Sequence, residues 1–163
     1  MGSGKTYLGQ RLAARLGVPF VDLDACIEAQ ESQSISSIFE RQGEQAFRLL
    51  EQQCLHQIPL EQAQVVATGG GTPCFHENMA WMNRHGITVY LQTPVSVLAA
   101  RLRLDAHTRP LLQGIPEPEL ESYIAKILSR RMPFYEQAQL IAAFDEQESR
   151  WLEQLVSGIR QLK

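Results

Sequence analysis

The residues best equipped for chemistry stand at the start of the sequence, where Gly2-Ser3-Gly4-Lys5-Thr6 leads into Tyr7. Glycines let successive backbone N–H groups turn inward around phosphate oxygens, a lysine supplies a cation for the β and γ phosphates, and a threonine hydroxyl can ligate Mg²⁺. Leu8, Leu12 and Leu16 then repeat at helical spacing up to Gly17, so the positive end of a helix backs the loop. Taken alone, the stretch also reads as a flexible N-terminal scrap. The complete phosphate-loop pattern opens with an earlier glycine, fed by a strand, and both would fall upstream of Met1. The expectation is therefore a start that lies late relative to the natural product, or a shortened fold with weakened nucleotide binding.

A second group of residues suits a small anionic acceptor. Asp22 and Asp24 end an apolar stretch over 18–24 that reads as a strand, and residues two apart on a strand share a face. Carboxyl ends of strands are where open α/β sheets collect ligands. One carboxylate could hold Mg²⁺ through water while the other orients or deprotonates a hydroxyl; a solvated turn with Asp24 as helix cap explains the pair equally well. Arg48 lies on a helix striped by Phe47, Leu50, Cys54, Leu55 and Ile58. It could grip a carboxylate with two parallel hydrogen bonds, although pairing with a glutamate is the commoner fate. Gly69, Gly70 and Gly71 follow a strand over 65–67, and such a run is tolerated where backbone must approach something closely. Arg109 stands in the segment 105–118, which carries Pro110, Pro116, Pro118 and Gly114 and reads as a mobile loop. From there an arginine could close over phosphates and stabilise transition-state charge. Arg130 and Arg131 point about 100° apart on a helix, so at most one of them faces the site.

The elements that must position these residues alternate between helix and strand. Strands are expected over 18–24, 65–67, 88–91 and 140–144, and helices over 8–16, 25–32, 78–85, from about 119, and 149–162, with further stripes around Gly43 and from Val95 to Leu102. That alternation predicts an α/β sandwich on a parallel sheet. At 163 residues, 44% hydrophobic and 20% charged, the chain suits one soluble domain. A net charge of −3 and a pI near 5.8 argue against nucleic acid as a partner. No apolar run is long enough to span a bilayer, and the N-terminus has no signal-peptide pattern, so neither membrane nor export is expected. Cys26, Cys54 and Cys74 lack metal spacing and read as reduced thiols. His56, His76, His85 and His107 show no ligand spacing either.

Seven stretches taken in order resemble the shikimate kinase family over nearly the whole chain. They are Gly2-Ser3-Gly4-Lys5-Thr6, Asp22-Leu23-Asp24, Ser34-Ile35-x-x-Ile38-Phe39, Gly43-Glu44-x-x-Phe47-Arg48, Gly69-Gly70-Gly71, Arg109-Pro110-Leu111-Leu112 and Arg131-x-Pro133-x-Tyr135. The resemblance implies a P-loop kinase of nucleoside-monophosphate-kinase type: a three-layer α/β sandwich with a central parallel sheet, five-stranded in the family, forming one kinase domain over 1–163 with a mobile lid at about 105–118. It implies ATP-dependent phosphorylation of the 3-hydroxyl of shikimate, with Mg²⁺, by a cytoplasmic monomer of aromatic amino-acid biosynthesis. By position, Gly2 to Tyr7 would bind nucleotide, Lys5 and Thr6 serving phosphate and metal, and Asp22 would hold the metal through water. Asp24 would hold the shikimate hydroxyls and act as base. Arg48 and Arg131 would grip its carboxylate beside the backbone of Gly69, Gly70 and Gly71. Arg109 would be the lid arginine, and Arg101 or Arg103 would stack on adenine near Asp145. Rival readings are a related kinase for gluconate or a nucleoside monophosphate, and a non-catalytic kinase-like binding module with an exposed apolar patch.

Overall fold

The computed structural model describes residues 2–105 and 114–162. Helices and strands alternate as α1 (Lys5–Leu16), β1 (Phe20–Asp22), α2 (Leu23–Glu31), α3 (Ile35–His56), β2 (Val65–Ala67), α4 (Asn78–His85), β3 (Val89–Gln92), α5 (Val95–Asp105), α6 (Leu120–Tyr135), β4 (Leu140–Ala143) and α7 (Glu148–Gln161). One-turn 3₁₀ helices at Thr72–Cys74 and Glu117–Glu119 complete the order.

The helix ends follow from local chemistry. Gly4 and Gly17 bracket α1 in the left-handed conformation, which costs glycine little. Ser34 caps α3 by accepting from the Ser37 N–H. Gly43, at φ 80° and ψ 172°, kinks α3 between two helical stretches, where the sequence marks a break.

All strand pairing among the described residues is parallel. β1 pairs with β2, Phe20 opposite Val65 and Asp22 opposite Ala67, while β3 pairs with β4, Val89 opposite Leu140 and Gln92 opposite Ala143. The two pairs are not hydrogen-bonded to each other. Between them lies a cavity of about 740 Å³, walled by Val65 and Val66 of β2, Val89 and Leu91 of β3, and Leu8 and Leu12 of α1. The four described strands thus stand in two parallel couples around an apolar gap.

Three apolar clusters hold the helices on these strands. Leu8 and Leu12 of α1 meet Trp151, Leu155, Val156 and Ile159 of α7 and Ala142 of β4. Leu23 and Ile27 of α2 pack with Ile38, Phe47, Cys54 and Leu55 of α3. Leu98, Ala99 and Leu102 of α5 pack with Leu120 and Ile124 of α6. A buried leucine or isoleucine of this kind contributes roughly 1.5–3 kcal/mol, so the carboxyl ends of the strands are held by packed helices. Residues 106–113 lie outside the described residues, and with them Arg109 and most of the expected lid.

Candidate active site

The phosphate end is built by the start of α1. Gly2 and Gly4 both have positive φ, 68° and 86°, and a Cβ on Gly2 would come within 3.0 Å of Leu102. Side chains larger than hydrogen would close this turn. The start of a helix offers backbone N–H groups that the helix itself does not use, and Lys5 stands at the start of α1, as an anion cradle requires. Thr6 Oγ1 donates to Asp22 Oδ2 at 2.8 Å.

The sequence places Asp22 and Asp24 together on a strand, and the structure separates their roles. β1 stops at Asp22, which caps α2: its Oδ1 accepts from the N–H groups of Asp24 and Ala25 at 3.1 and 3.4 Å. Asp24 stands in the first turn of α2, its Oδ1 next to Gly69. The cap therefore belongs to Asp22, because it is the last extended residue and its side chain reaches the orphan N–H groups two and three positions on. A hydroxyl and a carboxylate held together at the loop form a hard oxygen pair that suits Mg²⁺, and the left-handed glycines suit a polyphosphate.

Arg101 Nη1 donates to the Gly2 carbonyl at 3.1 Å, and its guanidinium lies over the Phe144 ring at 5.3 Å. It thereby ties the loop to the end of β4, where a base could sit. Arg103 is turned to Glu117 at 3.5 Å. Tyr7 donates to Glu148 Oε2 at 2.7 Å and lies under Arg11, so its hydroxyl is engaged by α7.

At the acceptor end Arg48 is only 4% exposed and Glu51 only 1%. The two form a buried ion pair one helical turn apart. Glu44 Oε1 accepts from Arg48 Nε and Nη2 at 3.2 and 2.8 Å, and Phe75, Phe47 and Phe39 surround the guanidinium at 4.6, 5.2 and 5.9 Å. Burial opposes the charge of Arg48, but the carboxylates of Glu51 and Glu44 outweigh it and push the pKa up, so the site keeps a permanent cation. Thr72 Oγ1 donates to Glu51 Oε1 at 2.7 Å.

The triple glycine fits against this network. A Cβ on Gly69 would stand 2.5 Å from Glu51 Oε1 and 3.2 Å from Asp24 Oδ1, and one on Gly71 would stand 2.5 Å from Arg48 Nη1. No side chain can occupy those places without displacing charged groups. Arg131, not Arg130, lines the cavity beside Gly69, Gly70 and Lys5. Its charge reaches Cys74, whose thiol is nevertheless pushed up, chiefly by burial. The sequence reading weighs a glutamate partner for Arg48 without naming Glu51 or Glu44, although both stand at helical spacing from it, and it misses Thr72. It quoted Tyr135 without giving it a task.

A glycine-bounded helix start with lysine and a threonine–aspartate pair, facing a buried arginine across the carboxyl ends of parallel strands, defines a P-loop phosphotransferase that works on a small anionic acceptor. The sequence matches the family described as shikimate kinase over residues 1–161. It is 45% identical to a shikimate kinase of Bacteroides thetaiotaomicron over 163 residues, covering 100% of this chain and 92% of the relative. A shikimate kinase of Thermosynechococcus vestitus is 47% identical over 140 residues, 86% of this chain and 74% of the relative. Among solved structures, shikimate kinase from Acinetobacter baumannii in complex with shikimate superposes with a TM-score of 0.91 at 35% identity, covering 100% of this chain and 90% of that one. The crystal structure from Bacteroides thetaiotaomicron superposes with a TM-score of 0.83 at 46% identity, covering 99% and 91%. The chain belongs to the shikimate kinase family.

Proposed function

We propose a division of labour among these residues for the reaction of the family. The chain is a kinase that transfers the γ-phosphoryl group of ATP to the 3-hydroxyl of shikimate, giving ADP and shikimate 3-phosphate in aromatic amino-acid biosynthesis, with Mg²⁺ as cofactor. Lys5 and the backbone N–H groups of residues 2–7 hold the phosphates, Tyr7 through its main chain. Thr6 and Asp22 hold the metal, which when bound offsets phosphate charge as it shifts toward the leaving oxygen. Arg101 borders the base.

Arg48 and Arg131 grip the acceptor carboxylate, and the backbone of Gly69, Gly70 and Gly71 lies against its ring. Asp24 orients the 3-hydroxyl and takes its proton as the oxygen bonds to the γ-phosphorus and the bond to the β-bridging oxygen breaks. Arg109 acts from the lid over the transferring group. A buried arginine with a fixed charge suits an acceptor bearing one carboxylate, and this favours shikimate over a nucleoside monophosphate. The observation that carries the reading is the contact between Gly71 and the Arg48 guanidinium, because it leaves an acceptor ring bare backbone on one side and a cation on the other.

The protein acts as a cytoplasmic monomer built as one domain over 1–163 with its lid at about 105–118, without nucleic acid or membrane partners. Among the described residues no helix is long and apolar enough to cross a membrane. NMR of the product of ATP, Mg²⁺ and shikimate tests the reading. Phosphorus coupled to the C3 proton is expected, and phosphate on another hydroxyl, or none transferred, contradicts it.

A further inference from the structure

Tyr135 closes α6 at the meeting point of the triple glycine and β3. Its hydroxyl donates to the Gly70 carbonyl at 2.5 Å, across 65 positions of sequence. Its ring leans on Tyr90 of β3 with centroids 5.0 Å apart. Arg131, one turn earlier on the same helix, lies close enough for its charge to act on this phenol. One hydroxyl thus ties the glycine turn to the helix that carries Arg131.

The consequence runs through the peptide plane. The Gly70–Gly71 bond is trans, and in a planar trans peptide the C=O and the following N–H point in opposite directions. Fixing the Gly70 carbonyl on Tyr135 therefore turns the Gly71 N–H away from Tyr135. Among the described residues no backbone acceptor takes that N–H, while the Gly71 carbonyl is held by Cys74 N–H at 2.8 Å. The Gly71 backbone adjoins the Arg48 guanidinium. Glycine offers no side chain to hold a peptide plane in place, so an external hydrogen bond has to set its direction.

We propose that Tyr135 is a positioning residue for the acceptor: it orients the Gly70–Gly71 peptide so that the Gly71 N–H is presented to an acceptor oxygen, and it steadies Arg131 for the same ligand. This rests on the assignment of the acceptor site above. Tyr135 need touch neither ATP nor the reacting oxygen.

Tyr135→Phe keeps the ring against Tyr90 and removes the hydroxyl. The expected result is a KM for shikimate raised about tenfold, the worth of one good hydrogen bond, with the KM for ATP changed less than about twofold. A shikimate KM equal to that of the unaltered chain, or an equal rise for both substrates, overturns the inference. A chain that turns over no shikimate before substitution fails on the acceptor assignment instead, and the two failures are thereby distinct. Should the variant not fold, the unaltered chain still decides: the Gly71 amide resonance is expected to shift on adding shikimate without nucleotide, and an unmoved Gly71 amide refutes the proposal.

Discussion

Glu51→Ala is expected to cost the fold far more than its size suggests. Glu51 is 1% exposed and its partner Arg48 4%, so removing the carboxylate takes away the main charge that offsets the burial of the guanidinium, and an arginine does not escape the cost by shedding its proton. Breaking a buried pair from one side costs about 3–5 kcal/mol. For a domain of this size each kcal/mol lowers Tm by about 2–4 °C, so a fall of roughly 6–20 °C is expected. Glu44 offers an internal comparison, since it bonds the same guanidinium from a half-exposed position. Exposed i,i+4 pairs contribute at most about 1 kcal/mol, and Glu44→Ala should lower Tm by only a few degrees. Thermal melts followed by circular dichroism measure both. Replacing the pair together, Arg48→Met with Glu51→Leu, should recover most of the stability, because no buried charge is left unpaired and Glu44 is half-exposed, while shikimate turnover is lost. A Glu51→Ala protein that melts no lower than Glu44→Ala would refute the reasoning that Arg48 is a buried charge held in place by Glu51.

Lys5→Ala should lower kcat by about 10²–10³ or more, the usual cost of removing a preorganised charge from a transition state, with little change in the melt; turnover within a few fold of the unaltered chain would remove Lys5 from the phosphate site. Gly69→Ala drives a methyl group to 2.5 Å from Glu51 Oε1 and 3.0 Å from Thr72 Oγ1, so steady-state kinetics should register a large rise in the KM for shikimate, and an unaltered KM would mean that the turn is not against the acceptor. Cys74 is pushed above the ordinary thiol range, first by burial, with Arg131 and Arg48 opposing that rise. A raised pKa leaves less thiolate at a given pH, so the pH profile of its alkylation should reach half-maximum above that of a free cysteine, and a midpoint below it would contradict the burial.

Local features were the most legible in the sequence. The boundaries of β2 fall at Val65 and Ala67 as its β-branched run suggests, the α3 kink falls at Gly43, and α7 begins one residue before the start read from its stripe. Such features depend on neighbouring residues and elementary conformational preference. The pairing of strands does not: β1 finds β2 across a 42-residue interval that includes two helices, and nothing in either run names its partner. Asp22 and Asp24 were misplaced for a similar reason, since two further extended residues would have set them on one face. Arg48 could be suspected from its type, but its burial came from tertiary contacts with Phe75 and the glycine turn. The part played by Tyr135 is the least legible, because it depends on one hydroxyl meeting one carbonyl 65 positions away.

The most direct measurement is the release of ADP from ATP and Mg²⁺ by the purified chain, with shikimate, gluconate and nucleoside monophosphates offered in turn. Stimulation by shikimate is expected, lost in Lys5→Ala and restored in Arg48→Ala only at far higher shikimate concentration. Equal stimulation by a nucleoside monophosphate, or ADP release indifferent to every acceptor, would contradict it.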